Sequence, residues 1–193
     1  LRLEFEALFG ALAAWVLRPS SGLWSHWRRF AVLGLLGMGC YNSLQYLALQ
    51  TSTPLNVTLV ASSSPLWMLA IGALVFGARV SRVQMVGAVL SMTGVCVVLA
   101  RGEWAQLLQL RLVPGDLFVL LATALWAVYS WLLSRRAEPD SIRNDWAAFV
   151  LAQVVYGLVW SGIFAGSEWA LTDHRVDWGW PLAAALVFVA VGP

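Results

Sequence analysis

Apolar residues in this chain gather into long blocks, at roughly 3–17, 30–50, 55–77, 83–100, 116–134, 146–165 and 181–193, with polar residues in short islands between them. Most blocks approach the about 20 residues that a helix needs to cross a hydrocarbon core of roughly 30 Å. They are too long for buried strands, and an open sheet leaves its edge N–H and C=O groups without partners in lipid. The pattern predicts an all-α fold, a polytopic helical membrane protein with about seven helices. The first and last blocks are short: "PLAAALVFVAVGP" is too brief to span, and the sequence reads as an internal fragment of a longer protein.

Composition and charge sharpen this reading. Of the residues, 60% are hydrophobic and 11% charged, and mean hydropathy is +0.75, far from a soluble domain. Every basic residue is arginine, and alternate connections share the arginines unequally. Arg18, Arg28, Arg29, Arg79, Arg82, Arg135, Arg136 and Arg143 fall in one set, against Arg101, Arg111 and Arg175 in the other. The positive-inside rule makes the first set cytoplasmic. Trp24, Trp27, Trp104, Trp146, Trp169, Trp178 and Trp180 lie at the expected interfaces, where amphipathic rings suit the headgroup zone. The net charge of +2 comes without a basic arm, so nucleic acid is not an expected partner. The stretch "EWAQLLQLRLVPG" reads as a surface-lying segment or a plain loop.

Candidate chemistry begins at Pro65, directly behind Ser62, Ser63 and Ser64. Proline offers no N–H to the carbonyl four residues back, here Ala61, and membrane helices tolerate it when nearby hydroxyls take over. The expectation is a kinked or locally unwound helix, either bordering a solute path or serving as a static bend. Asn42, Gln45 and Tyr46 share a helix face at i, i+3 and i+4. Amides are costly in hydrocarbon, so this face should bond a solute in a wet cavity or a neighbouring helix. Asn56, Ser63 and Trp67 share a face of the proline-bearing helix, and Thr123, Trp126 and Ser130 group in the fifth block with Tyr129 beside them. Such hydroxyl and aromatic surfaces suit an amphipathic organic solute. The candidate substrate-binding set is therefore Asn42, Gln45, Tyr46, Asn56, Ser63, Trp67, Trp126 and Tyr129, with Pro65 shaping the site.

No catalytic residue, metal or cofactor is expected. His26 and His174 lie in connections, and neither HExxH, a pair of intramembrane aspartates nor a glycine-rich phosphate cradle occurs. Cys40 and Cys96 sit in apolar runs without CxxC spacing and read as packing residues. Gly87, Ser91 and Gly94, and Gly39 with Ser43, form small-residue stripes expected to seat neighbouring helices.

From "YNSLQYLALQTSTPLNVTLVASSSPLWMLAIGALVFGARVSRVQMVGAVLSMTGVCVVLARG" to "GDLFVLLATALWAVYSWLLSRR", the chain resembles the EamA branch of the drug/metabolite transporter superfamily. That family has an "ALxxTS" helix end, a helix with a central proline, a short turn like "GERLSRRQ", a glycine-bearing helix and a "GDLLALLAALLWALYSVLLRR"-like start to a second repeat. The corresponding stretches are Ala48–Ser52, Pro65, Gly77–Gln84, Gly87 with Gly94, and Gly115–Arg136. Ala78 stands where the family usually has glutamate, which puts in question any gating contact made by that carboxylate.

The resemblance implies a ten-helix permease of two five-helix inverted repeats, with residues 1–100 ending the first repeat (helices two to five), 101–115 connecting, and 116–193 beginning the second (helices six to eight). A direct comparison of residues 3–50 with 146–193 shows only weak similarity. It further implies secondary transport of a small organic metabolite, amino-acid-like or drug-like, often outward, by alternating access. The expected partners are a small-molecule substrate and the lipid bilayer, and the expected location is a multi-pass position in a bacterial inner membrane; oligomeric state is left open. The rival reading, a non-transporting structural or assembly protein, has no use for polar side chains converging from several helices.

Overall fold

The computed structural model describes residues 14–100, 113–135, 140–171 and 179–191. Every regular element among them is helical. These are α1 (Trp27–Leu49) and α2 (Pro54–Leu74), then α3 (Arg82–Ala100), α4 (Pro114–Ser134), the single turn α5 (Asp140–Arg143), α6 (Trp146–Leu171) and α7 (Trp180–Val191). Residues 14–16 close an earlier helix. The rest of that first block, and nearly all of "EWAQLLQLRLVPG", lie outside the described residues. Among the described residues, four helices, α1, α2, α4 and α6, are long and apolar enough to cross a membrane. At a rise of about 1.5 Å per residue, α2 and α4 each reach roughly 30 Å.

Local sequence sets the helix starts. Thr53 caps α2, its hydroxyl accepting from the Asn56 N–H at 3.2 Å, with Pro54 in the first turn where its missing N–H costs nothing. Ser81 and Gln84 exchange hydrogen bonds at the start of α3, Ser81 N–H to Gln84 Oε1 at 2.9 Å and Gln84 N–H to Ser81 Oγ at 3.2 Å, forming a capping box. Asp145 accepts from the N–H groups of Ala147 and Ala148 ahead of α6. The α2–α3 turn passes through Gly77 at φ 67°, a conformation glycine adopts without a Cβ penalty. At Ala78, where the resembled family has glutamate, the backbone N–H closes this turn on Gly72 O at 2.8 Å.

The chain divides into two compact units, Leu1–Gly162 and Ile163–Pro193. In the first, α4 is the central helix, packed against both α1 and α2, and α3 packs against α2. A buried apolar cluster of Val16, Leu23, Phe30, Ile142, Ala148 and Ala152 gathers at the arginine-rich end, with Phe30 edge-on to Phe149. There the Arg29 guanidinium donates to the carbonyls of Leu132 and Arg135 at the end of α4. The start of α1 and the end of α4 thus share one end of the bundle, as the arginine count requires. The second unit contains the last turns of α6 and α7.

Glycine decides two close approaches. A Cβ on Gly34 would lie 2.8 Å from Gly157 N, so α1 and α6 meet backbone to backbone, and Trp160 Nε1–H donates to Ala31 O at 3.0 Å beside them. A Cβ on Gly37 would lie 2.7 Å from the Tyr129 ring. The stripe expected on α3 behaves differently. Gly87 and Gly94 have open space where a Cβ would go. Only Ala88 of this face is buried, and Gly87, Ala88 and Ser91 border an apolar groove of about 440 Å³ shared with Ser64, Pro65, Met68 and Leu69 of α2. Among the described residues this stripe borders the groove on α2 and meets no other helix.

Candidate functional site

The middle of α1 is a π-helical segment, Leu35–Cys40, flanked by α-helix on both sides. Such insertions widen the turn and redirect the residues beyond them, and they are frequent at functional sites. Directly after it, Tyr41 meets α4: its ring lies 4.7 Å from Trp126, whose ring is 5.0 Å from Tyr129. The separations fall in the favourable range for offset aromatic pairs. The Tyr129 hydroxyl then donates to Gln153 Oε1 on α6 at 2.7 Å. Gln153 is buried, and its Nε2 donates to Phe149 O one turn back at 3.5 Å. Three helices therefore meet at Tyr41, Trp126, Tyr129 and Gln153, an aromatic wall ending in an amide.

The exposed flank of this wall is polar. Asn42 follows Tyr41 and is exposed, its Nδ2 donating to Met38 O of its own helix at 3.0 Å. Gln45 is half-buried, and Tyr46 is 65% exposed. The face formed by these residues is uncovered in this chain, and hydrocarbon is a costly environment for its amides.

The proline-bearing helix is interrupted. α2 is α-helical over Pro54–Ala61 and again over Ser64–Leu74, with Ser62 and Ser63 in a turn between. The Ala61 carbonyl, which Pro65 deprives of its usual donor, accepts from Ser64 Oγ at 2.6 Å. Ser62 and Ser63 hydroxyls donate to Leu59 and Val60 carbonyls at 2.5 and 2.6 Å. Ser63 is thus bonded to backbone. Pro65 borders the α2–α3 groove, and Trp67 is half-buried.

Asn56 belongs to a different cluster. Its Nδ2 donates to Asp116 Oδ2 at 3.4 Å, Ser52 Oγ donates to Oδ1 at 2.5 Å, and the Val113 N–H donates to Oδ2 at 2.9 Å. Asp116 is 1% exposed, and Ser52 and Asn56 are also buried. The carboxylate sits in the first turn of α4, where the positive helix end favours it.

Of the residues singled out in the sequence, the fold brings Trp126 and Tyr129 together, places Asn42, Gln45 and Tyr46 on the adjoining face, and directs Asn56 to Asp116. Tyr41, Gln153 and Asp116 were not singled out, and Arg29 was counted only among the arginines of the cytoplasmic set. Gln153 carries the same signal as Asn42, an amide inside an apolar run, and Asp116 is a carboxylate at the very start of such a run. Among the described residues no group of three or more His, Cys, Asp and Glu is arranged to hold a metal.

Long apolar helices around a polar-edged aromatic wall, with one helix interrupted beside a groove, define a multi-pass helical membrane protein. The chain matches the EamA-like transporter family over residues 2–100, and it belongs to that family. It is 23% identical over 162 residues to the uncharacterized transporter YyaM of Bacillus subtilis, covering 83% of this chain and 51% of that protein. It is 30% identical over 130 residues to an uncharacterized transporter of Archaeoglobus fulgidus, covering 64% of this chain and 43% of that one. It is 26% identical over 179 residues to the aromatic amino acid exporter YddG of Ancylobacter novellus, covering 92% of this chain and 56% of that protein. The chain thus spans about half the length of these relatives. No solved structure matches it.

Proposed function

We propose that the protein of which this chain forms part is a secondary transporter for a small amphipathic organic solute of the amino-acid type, in a bacterial inner membrane. The observation that carries this reading is the wall of Tyr41, Trp126 and Tyr129 beside the uncovered face of Asn42, Gln45 and Tyr46. Such a row of tilted rings can hold an apolar or aromatic side chain, and neighbouring amides bond a polar head, the combination a solute pocket needs. The name of one relative, an aromatic amino acid exporter, supports both the substrate type and the outward direction. Alternating access, with inverted repeats rocking about this site, fits the expected ten-helix arrangement.

Counterflow of radiolabelled amino acids in liposomes containing the full-length protein tests the proposal, with phenylalanine expected to exchange faster than alanine. Replacing Asn42 and Gln45 together by leucine should reduce phenylalanine flux at least tenfold while leaving expression and membrane insertion unchanged. Unchanged flux in that variant would remove these amides from the site, and absence of flux across a broad solute panel would favour a structural or assembly role.

A further inference from the structure

The cluster around Asp116 joins the turn after α1 to the first turn of α4, and the joint is tight in backbone as well as side chain. A Cβ on Gly115 would lie 2.5 Å from Ala48 O and 2.6 Å from Thr51 Oγ1, so glycine is what lets the two segments touch. Ala48 O itself is occupied, accepting from Ser52 N–H at 2.7 Å, which fixes the turn that presents the Ser52 hydroxyl. Parting these segments would strand a carboxylate together with the Ser52 hydroxyl and the Asn56 amide in a site that solvent barely reaches. Unpaired buried groups of this kind are strongly disfavoured.

The same helices are tied again farther along. Arg29 joins the start of α1 to the end of α4. Trp131 Nε1–H of α4 donates to Met68 O of α2 at 2.8 Å, the Trp131 ring stacks on Phe76 at 5.6 Å, and the Arg135 guanidinium lies 4.7 Å over Phe76. α1 and α4 are therefore fastened at both ends, and α2 is fastened to α4 at Asp116 and at Trp131.

We propose that Asp116 is a positioning residue of the transporter: it fastens the α1–α2 turn to α4 throughout the cycle, so that α1, α2 and α4 travel as one body and Tyr41 stays against Trp126. The moving seams then lie between this body and other helices, and the aromatic wall is carried rather than dismantled. The inference rests on the transport reading above. It also assigns the carboxylate a bonding role, which an amide can fulfil. Asparagine at this position keeps an acceptor for the Val113 N–H and offers an N–H to Ser52 Oγ, which donates or accepts equally well.

The test uses the full-length protein in liposomes, with radiolabelled phenylalanine as probe. Asp116→Ala is expected to lower flux at least tenfold, and Asp116→Asn to stay within about twofold of the parent; equal loss in both variants would overturn the bonding role in favour of one that needs the charge. In a cysteine-free background, Ser52→Cys with Asp116→Cys replaces the hydrogen bond by a disulfide formed with copper phenanthroline, and mass spectrometry scores its yield. Oxidation is expected to restore the flux and thermal stability lost in the reduced double variant. A disulfide that blocks flux, with recovery on reduction, would show that the joint opens in each cycle and overturn the proposal, as would failure of the disulfide to form. Absence of phenylalanine flux in the parent protein would count against the proposed substrate instead, and the disulfide yield and melting temperature would still test the joint.

Discussion

Removing the Tyr129 hydroxyl with Tyr129→Phe perturbs one bond and little else. The ring keeps its place between Gly37 and Trp126, because the contacts holding it are made by carbon atoms. What is lost is the 2.7 Å bond to Gln153 Oε1, and Gln153 is only 5% exposed. An acceptor left unpaired in a buried site costs about 1–3 kcal/mol, whereas interhelical hydrogen bonds in membranes average about 0.6 kcal/mol and reach about 1.7. The structure favours the upper part of the membrane range, about 1–1.5 kcal/mol, because the long 3.5 Å bond from Gln153 Nε2 to Phe149 O leaves Oε1 uncompensated. Gln153→Leu should cost a similar amount by stranding the hydroxyl. The double variant, with both polar partners gone, should be less destabilised than the sum of the two, giving a coupling of about 1 kcal/mol, roughly a fivefold change in the folded-to-unfolded ratio. Reversible unfolding in mixed detergent micelles, followed by Trp fluorescence, measures all four corners of the cycle. Additive losses, within about 0.3 kcal/mol, would refute the claim that this bond ties α4 to α6.

Two other perturbations probe the rest of the assembly. Pro65→Ala offers the Ala61 carbonyl an N–H donor, so α2 should become continuous; because Pro65 lies in the first turn of Ser64–Leu74, where its missing N–H costs little, melting temperature should stay within a few degrees of the parent, and phenylalanine flux should fall several-fold. A variant with unchanged flux would reduce the interruption to a packing bend. Arg29→Gln removes charge-assisted donation to Leu132 and Arg135 carbonyls and should destabilise by about 1–3 kcal/mol in the same unfolding assay, with Arg29→Lys recovering part of the loss.

The helices themselves were legible in the blocks of apolar residues, because a lipid-crossing segment has to satisfy its backbone internally and announces itself by length. Starts at Pro54, Arg82, Pro114, Trp146 and Trp180 fall within two residues of the blocks, and α6 runs on past the block's end at 165 to Leu171. The interruption of α2 was legible too, since a proline behind serines states both the lost donor and its replacements. The π-helical stretch was not, because "LLGMGC" carries no local signal; its contacts, the Tyr129 ring on Gly37 and Met38 on Gly157, are made with distant parts of the chain. Partnership was equally hidden. Asn56 and Asn42 are both amides on helical faces, yet one ends on Asp116, 60 positions away, and the other on its own helix, and no spacing rule distinguishes them.

The π turn in α1 also bears on how this chain should be compared with its relatives. A π segment contains one residue more than the α-helix it interrupts, and one residue corresponds to about 100° of rotation. Deleting a single position between Leu35 and Cys40 would let the stretch close into regular α-helix with Tyr41 and the amides after it keeping their direction, whereas a deletion just after Cys40 would swing the following side chains about a quarter of the way around the helix. A gap placed in that stretch when two such sequences are aligned therefore marks loss of the wide turn and leaves the side chains beside the aromatic wall in register.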